Sequence, residues 1–150
     1  MSCFTTGVTV VTAHTQGLDW GMTCNSFNTV SLDPAMVLWS VRKTSLSHEA
    51  FVNAGGYMVN VLGAQQKDVA LKFAQGTQAE RFADQSLVRG LNQHPRLDGV
   101  IAWFDCRIAQ VVSAGDHDIL IGEVLDFGVH AGHGLAYAQR SFGVLAPMED

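Results

Sequence analysis

The chain has 150 residues, of which 47% are hydrophobic and 15% are charged, and its formal net charge at pH 7 is -5. This length suits a single domain, 1–150, that buries about 70% of the surface of the unfolded chain. The acidic balance, without any run of Lys or Arg, argues against nucleic acid or an anionic membrane as a partner.

Cysteine usage and the lack of targeting signals predict a cytoplasmic location. Cys3, Cys24 and Cys106 are widely spaced and odd in number, which fits neither a disulfide framework nor a CxxC site. The first residues lack the basic and apolar regions of a signal peptide, and no apolar run approaches the ~20 residues of a membrane span. We therefore expect reduced thiols.

Runs rich in β-branched or apolar residues, bounded by turn residues, predict the strands. In chain order they are 7–13, 19–25, 35–41, 57–62, 100–112, 119–129 and 135–138. The third run is apolar enough to be buried on both faces of a sheet. Gly115-Asp116 forms the turn of a long hairpin between the fifth run and the sixth.

Short helices are predicted at two places between these strands. The first covers 45–53, and the second covers 65–74, where residues such as Val69 and Phe73 have the spacing of one helical face. The polar segment 76–95 is predicted to be irregular and mobile. Many strands with few helices predict an antiparallel barrel or sandwich.

Common nucleotide, hydrolase and metal motifs are missing from the sequence. No GxGxxG follows a strand, and neither GxxxxGK[ST], GxSxG nor HExxH occurs. His130 and His133 with Asp116 or His117 would make an incomplete metal site, because no carboxylate-rich or thiolate set surrounds them. We predict no metal centre.

A cluster of polar side chains, Thr23-Cys24-Asn25-Ser26, stands at the end of the second predicted strand in an apolar context. Such groups must be hydrogen-bonded or they cost stability. Their partner is either the protein's own backbone or a flat polar ligand such as a flavin ring. Local chemistry does not separate these two interpretations.

A second cluster, Arg42-Lys43-Thr44-Ser45, lies where a strand ends and the first helix begins. Two cations, two hydroxyls and the N–H groups of a helix start suit a phosphate. The simpler interpretation is that Ser45 caps the helix and the cations are solvated. Together with Thr23-Cys24-Asn25-Ser26, this cluster can hold the two ends of one mononucleotide.

The hairpin corner Gly115-Asp116-His117 is the third candidate. A histidine at the start of a strand can face a cleft and contact a nicotinamide ring. Taken alone, an ordinary Gly-Asp turn with an exposed histidine is the simpler interpretation.

These clusters belong to a longer ordered set of motifs that extends over nearly the whole chain. The set comprises Phe4-Thr5-Thr6-Gly7-Val8-Thr9-Val10-Val11-Thr12, Gly21-Met22-Thr23-Cys24-Asn25-Ser26-Phe27, Ser31-Leu32-Asp33-Pro34, Gly115-Asp116-His117, Leu135-Ala136-Tyr137 and Phe142-Gly143. In this order the motifs resemble the short-chain flavin reductases, the NAD(P)H:flavin oxidoreductases of two-component flavin-dependent monooxygenases. The resemblance implies a mainly β, FMN-binding split β-barrel, antiparallel and Greek-key-like, with a few short helices.

The resemblance also implies a homodimer with flavin near the subunit interface, and it assigns site residues. Those implied at the flavin ring and ribityl chain are Thr23, Cys24, Asn25 and Ser26, with Phe73 and Ala74 bordering the flavin. Those implied at the phosphate are Arg42, Lys43, Thr44 and Ser45, and those implied at the nicotinamide are Gly115, Asp116 and His117. Part of the family's N-terminal helix is missing, and Cys24 stands where a small residue such as Ala is common.

The function implied is hydride transfer from NADH or NADPH to FMN or FAD, with reduced flavin supplied by diffusion to a partner monooxygenase. Direct hydride transfer needs no general acid or base, which agrees with a sequence that has no evident catalytic dyad. Alternatives are a flavin-binding module without turnover and a flavin oxidase of the pyridoxamine-phosphate oxidase type. The lack of a second basic cluster for a substrate phosphate speaks against the oxidase.

Overall fold

The computed structural model describes residues 2–150, and over this range it is mainly β with three short helices. The strands are β1 (Thr6–Gly7), β2 (Thr9–Thr15), β3 (Leu18–Cys24), β4 (Asn28–Leu32), β5 (Ala35–Arg42), β6 (Gly56–Val61), β7 (Leu87–Arg89), β8 (Pro95–Leu97), β9 (Ala102–Ala114), β10 (His117–Val129), β11 (Leu135–Ala138) and β12 (Ser141–Val144). The helices are α1 (His48–Asn53), α2 (Lys67–Lys72) and α3 (Gln78–Phe82).

One seven-stranded antiparallel sheet, in the order β3-β2-β6-β9-β10-β5-β4, forms the body of the protein. The strands β1, β11 and β12 form a three-stranded sheet, and β7 pairs with β8. The long hairpin of β9 and β10 has 13 residues in each strand, which confirms the predicted hairpin with its turn at Gly115-Asp116, although the predicted strands were 100–112 and 119–129. The mainly β, antiparallel fold class is confirmed.

The large sheet curls around a main core. Trp20 and Met22 on β3 pack against the same cluster as Trp39 on β5, although β3 and β5 lie near opposite edges of the sheet. Trp39 is fully buried, and its ring meets Phe51 of α1 edge-on with 4.9 Å between centroids. Burial of these large aromatic groups drives the curling, because it removes far more apolar surface from water than a flat sheet would.

A second core fills the other face of β2. Val8 and Val10 pack there with Leu62, Phe73 and Leu135, whereas the next side chains along β2 enter the main core. The strand is therefore buried on both faces, which its β-branched sequence suits. This arrangement holds the end of the neighbouring strand β3 against α2.

The prediction that the third run is buried on both faces is wrong. In β5, Val37, Trp39 and Val41 are buried, but the alternate residues are half-buried, and Ala35 and Arg42 are exposed. The period of two arises because one face of β5 packs on the main core, while the other face is only partly covered by the described residues 2–150.

The segment 76–95, predicted to be irregular, contains α3, β7 and the start of β8. These elements are too short for their periodicity to stand out. The start of α3 nevertheless has a signal in the sequence, since the Thr77 hydroxyl accepts a hydrogen bond from the Glu80 N–H in the Ser/Thr-x-x-Glu spacing of a capping box. The first helix begins at His48 rather than at residue 45.

Cys106 is buried, Cys24 is half-buried and Cys3 is exposed, and all three are free thiols. Within residues 2–150 no group of three or more His, Cys, Asp or Glu side chains is placed to hold a metal ion. Over the same residues, none of the helices has the length and hydropathy needed to cross a membrane.

Candidate functional site

Two hydroxyls at the end of β3 bond to the backbone of neighbouring elements. Thr23 Oγ1 donates to the carbonyl of Ala70 in α2 at 2.6 Å, and the Thr23 N–H donates to the carbonyl of Phe73 at 3.2 Å. Ser26 Oγ accepts from the Ser40 N–H at 3.0 Å and donates to the Ser40 carbonyl at 3.2 Å. These side chains therefore position the end of β3 against α2 on one side and β5 on the other.

Thr9 of β2 lies opposite Cys24 of β3 and is hydrogen-bonded to it. The Thr9 hydroxyl donates to the Cys24 carbonyl at 3.0 Å and lies 3.1 Å from Sγ. Burial raises the pKa of the Cys24 thiol above its usual value, although the hydrogen bond to Thr9 opposes this shift. A thiol that stays protonated at neutral pH is a poor nucleophile, so Cys24 shapes the site without supplying chemistry.

Asn25 differs from its neighbours because its side-chain amide makes no hydrogen bond within residues 2–150. The residue is exposed and lies where two clefts meet. An amide carries both donors and acceptors, which match the alternating polar edge of a planar heterocycle.

The first of these clefts, the β3–α2 cleft, has a volume of about 420 Å³. Its walls are the end of β3, the exposed side of α2 and the hairpin of β11 and β12. The lining side chains are Val8, Thr23, Cys24, Asn25, Ala70, Leu71, Ala74, Tyr137, Arg140 and Phe142. A mostly apolar cleft of this size with a few polar groups is typical of a small-molecule site.

The second cleft, the N-terminal cleft, has a volume of about 450 Å³ and lies between residues 4–7 and residues 25–28. Thr6 is one of its lining residues, but the oxygen of the Thr6 hydroxyl is itself buried and has no hydrogen-bond partner in the described part of the chain. A buried hydroxyl without a partner costs about 1–3 kcal/mol. The exposed amide of Asn25, which also lines this cleft, offers donors and an acceptor, so the residues present fit a ligand rich in both, as a flavin is.

The segment Arg42-Lys43-Thr44-Ser45 forms a tight turn between β5 and α1. The Ser45 N–H donates to the Arg42 carbonyl at 3.0 Å, and Ser45 Oγ accepts from the Ser47 N–H at 3.2 Å. Arg42, Lys43 and Thr44 are exposed, and Lys43 Nζ donates to Ser113 Oγ at 2.5 Å. Two cations and a hydroxyl therefore face solvent from one turn.

The hairpin corner Gly115-Asp116-His117 lies against this turn. His117 is the residue opposite Arg42 in the pairing of β10 with β5, and the Lys43 N–H donates to the Asp116 carbonyl at 2.9 Å. His117 Nδ1 lies 2.7 Å from Asp116 Oδ1, and this hydrogen bond, aided by the charges of His117 and Arg42, lowers the pKa of the Asp116 carboxyl. We call residues 42–45 and 115–117 together the basic corner.

The predicted site residues thus form two groups. Thr23, Cys24, Asn25 and Ala74 line the β3–α2 cleft, whereas Arg42, Lys43, Thr44, Ser45, Gly115, Asp116 and His117 form the basic corner. The groups meet at the hydrogen bonds between Ser26 and Ser40, since Ser40 precedes Arg42 closely on β5. None of the basic-corner residues lines either cleft.

Phe73 lies in the second core, although it was expected to border the flavin. Its side chain is fully buried, and its ring packs edge-on against Phe82 with 5.1 Å between centroids. Only its carbonyl reaches β3, through the hydrogen bond from Thr23. The next residue, Ala74, is the one that lines the cleft.

Two side chains of α3 that the sequence analysis missed hold β3 in place. Gln78 Oε1 accepts from the Gly21 N–H at 2.9 Å, while its Nε2 donates to Ser47 Oγ at 3.2 Å. Arg81 donates to the Gly21 carbonyl at 2.7 Å. Gln78 therefore links β3 to the start of α1, and the capping box of α3 was the signal that could have revealed this element.

Comparison with known proteins finds a family match over almost the entire sequence. The family described as "Flavin reductase like domain" matches residues 1–146. The chain is also 46% identical over 140 residues to the reductase component of a flavin-dependent trigonelline monooxygenase from Acinetobacter baylyi, which covers 93% of this chain and 45% of that protein. The present chain therefore spans less than half of the length of this relative.

Two further similar proteins are also named as enzymes that reduce a flavin. An FMN reductase (NADH) of Agrobacterium fabrum, SmoA, is 42% identical over 143 residues, covering 95% of this chain and 81% of that protein. The structure of an NADH:FAD oxidoreductase of Streptomyces globisporus, in complex with NAD and FAD fragments, superposes with a TM-score of 0.92 at 34% identity. That superposition covers 99% of this chain and 90% of the other.

Proposed function

Because this chain belongs to the flavin reductase like domain family, we propose that it is an NAD(P)H:flavin oxidoreductase that supplies reduced flavin to a monooxygenase. A bound flavin accepts hydride from the nicotinamide and so supplies the redox chemistry, and the protein supplies binding, orientation and electrostatics. Residues 1–150 act as a single domain in this reaction.

The observation that carries the proposal is the difference in hydrogen bonding among the side chains at the end of β3. Thr23 and Ser26 are bonded to protein backbone, whereas the Asn25 amide is left without a partner where the two clefts meet. An exposed amide on a rigid strand end suits the polar edge of a flavin ring. Thr23, Cys24 and Ala74 would line the space that holds the ring, since all three line the β3–α2 cleft.

The basic corner is assigned to the charged ends of the two reactants. Arg42, Lys43, Thr44 and Ser45 bind the flavin phosphate, because two cations and the exposed Thr44 hydroxyl lie in one turn. His117, with Gly115 and Asp116, contacts the nicotinamide. Hydride transfer needs the reacting atoms about 3–3.5 Å apart, so these contacts act by orientation.

The reductase is favoured over the two alternatives. Relatives are named FMN reductase (NADH) and reductase component of a monooxygenase, and one similar structure holds NAD and FAD fragments. Another similar structure holds NADP+. A binding module without turnover would have no use for a nicotinamide contact at His117. FMN or FAD, and NADH or NADPH, remain equally compatible with this proposal.

The expected partners are a second copy of the chain and a flavin-dependent monooxygenase. Support for the homodimer comes from the split between the clefts and the basic corner within one chain, which a second copy would complete. Phe127 and Val129 on β10 add an apolar surface, with 63% and 73% of their side chains exposed. The monooxygenase follows from the names of the relatives, and a cytoplasmic location from the free thiols.

Anaerobic mixing of the purified chain with FMN and NADH tests the proposal. We expect the flavin absorbance to bleach far faster than in a protein-free mixture. Asn25→Ala should weaken FMN binding about tenfold, because an aligned hydrogen bond is lost, whereas the surface variant Asn92→Ala should behave as the parent chain. Bleaching no faster than without protein would leave only the binding module.

A further inference from the structure

Arg140 is the one charged residue among those that line the β3–α2 cleft. It is exposed, and within residues 2–150 it takes part in no ion pair. The neighbouring side chains on its wall are Tyr137 and Phe142, whose rings pack edge-on with 5.1 Å between centroids. The cleft therefore combines an aromatic wall, the Asn25 amide and a single unpaired cation.

The backbone that carries Arg140 is in an unfavourable conformation. Ala138 pairs with Ser141, so Gln139 and Arg140 form a two-residue hairpin loop, and their φ angles are 50° and 63°. Such loops prefer glycine or asparagine, because other side chains are strained at positive φ. Strained residues cluster at ligand sites, and the pairing of β11 with β12 imposes this turn on Arg140, which lines the cleft.

The chemistry of the cleft indicates what this cation meets. A compact phosphate is usually bound by several donors, and the basic corner offers them. No other cation among residues 2–150 lines this cleft, and the Thr23 hydroxyl in its wall is already bonded to the carbonyl of Ala70. Lys67, which is outside the lining, has its Nζ 5.9 Å from the centroid of the Phe142 ring. A single guanidinium at the cleft suits the diffuse charge of a planar ring, on which it can also stack.

We propose that Arg140 stabilises the negative charge that a flavin ring gains on reduction, so that the β3–α2 cleft holds reduced flavin more tightly than oxidised flavin. This inference rests on the proposed function, because it takes the ring to lie in this cleft. The formal net charge of -5 disfavours an anionic ligand unless a local cation offsets it. A site that prefers the reduced form raises the reduction potential of the bound flavin, which favours hydride transfer to it.

The test compares three variants of the turn with the parent chain. Arg140→Gly removes the charge and also relieves the strained φ, so it should fold. Arg140→Lys retains the charge. Gln139→Gly is the matched control, because it relieves the same turn at a residue that does not line the cleft. Dissociation constants are measured without oxygen for oxidised and reduced FMN, and for oxidised and reduced riboflavin, which has no phosphate.

In Arg140→Gly we expect binding of reduced FMN and reduced riboflavin to weaken about tenfold, and binding of the oxidised forms to change less than twofold. A tenfold change in this preference corresponds to a potential lower by about 30 mV, which titration of the bound flavin measures. Arg140→Lys should retain most of the preference, and Gln139→Gly should match the parent chain.

Equal weakening of both oxidation states in Arg140→Gly would overturn the inference, since it would indicate a merely structural role. Loss confined to FMN, with riboflavin unaffected, would also overturn it and would place the phosphate at Arg140. If the parent chain bleaches flavin with NADH but its preference survives in Arg140→Gly, only this inference fails. If the parent chain binds no flavin, the proposed function fails with it.

Discussion

His117 lies directly opposite Arg42 across the antiparallel pair of β10 and β5. The two residues are far apart in the sequence, and this pairing makes a hairpin corner and a strand end into one surface. Beside this pair, the Lys43 N–H donates to the Asp116 carbonyl, and the hydrogen bond to His117, with the charges of His117 and Arg42, lowers the pKa of the Asp116 carboxyl. Groups proposed for the nicotinamide and for the flavin phosphate are therefore neighbours.

Replacing His117 by Ala should separate use of the nicotinamide from flavin binding. We expect kcat/KM for NADH to fall about tenfold, which corresponds to roughly 1.4 kcal/mol of lost interaction, while the Kd for FMN changes less than twofold. Steady-state kinetics and flavin titration measure the two quantities. His130→Ala, at an exposed histidine outside the basic corner, is the control. Equal loss of both properties would contradict the assigned role.

Replacing Arg42 by Ala should weaken FMN binding without affecting riboflavin. A charge-assisted hydrogen bond contributes about 1.5–3 kcal/mol, so the Kd for FMN should rise at least tenfold at low salt. The difference should shrink at higher ionic strength, because Arg42 is exposed. Arg107→Ala, which removes a cation paired with Glu123, is the control. Parallel loss of riboflavin binding would show that Arg42 does not bind the phosphate.

Gly21→Ala should destabilise the protein because a methyl group has no room at this position. An added Cβ would lie 2.7 Å from Phe73 Cε1 and 3.0 Å from Phe82 Cζ, and both rings are packed. We expect a loss of about 1–3 kcal/mol in the free energy of unfolding, measured with urea. Gly143→Ala, where an added Cβ meets nothing within 4 Å, should change stability by less than about 0.5 kcal/mol.

The buried His94 should make the protein less stable in mild acid. Desolvation, with a smaller contribution from the charge of His14, lowers the pKa of His94 to about 4. Because the unfolded chain titrates near pH 6.5, it binds more protons than the folded chain between these values, and stability falls as the pH falls from about 6.5 to 4. The loss amounts to about 3 kcal/mol at pH 4.

Urea unfolding at pH 7 and pH 4.5 measures this dependence. His94→Asn keeps an acceptor for the His14 N–H, which now donates to His94 Nδ1 at 2.9 Å, but it has no group that titrates in this range. At pH 7 the variant should be less stable than the parent chain, because it replaces a buried side chain. Because the amide does not titrate, the free energy of unfolding of the variant should fall less on acidification than that of the parent chain. A pH dependence as steep as that of the parent chain would assign the effect to other groups.

The sequence was sufficient for the elements whose pattern is long or strongly punctuated. The strand 135–138 was predicted with its observed bounds, and the long hairpin around Gly115 was predicted to within two residues at its turn. The strand β4 and the helix α3 were missed, because a few residues of mixed polarity carry no periodicity. A local sequence pattern can predict only an element that is long enough to show a periodicity or that is bounded by clear turn residues.

For the candidate site, too, the sequence was sufficient for some features and the tertiary structure decided others. The order of the motifs was enough to assign the family, and the residue types at 23–26, 42–45 and 117 were enough to suggest a flavin, a phosphate and a nicotinamide. Whether Thr23-Cys24-Asn25-Ser26 served the backbone or a ligand could not be decided from the sequence. The tertiary structure divides the run, because Thr23 finds its partner on α2 and Ser26 on β5, which leaves Asn25 unpaired. Those partners are distant along the chain and become neighbours only when the sheet curls around its core.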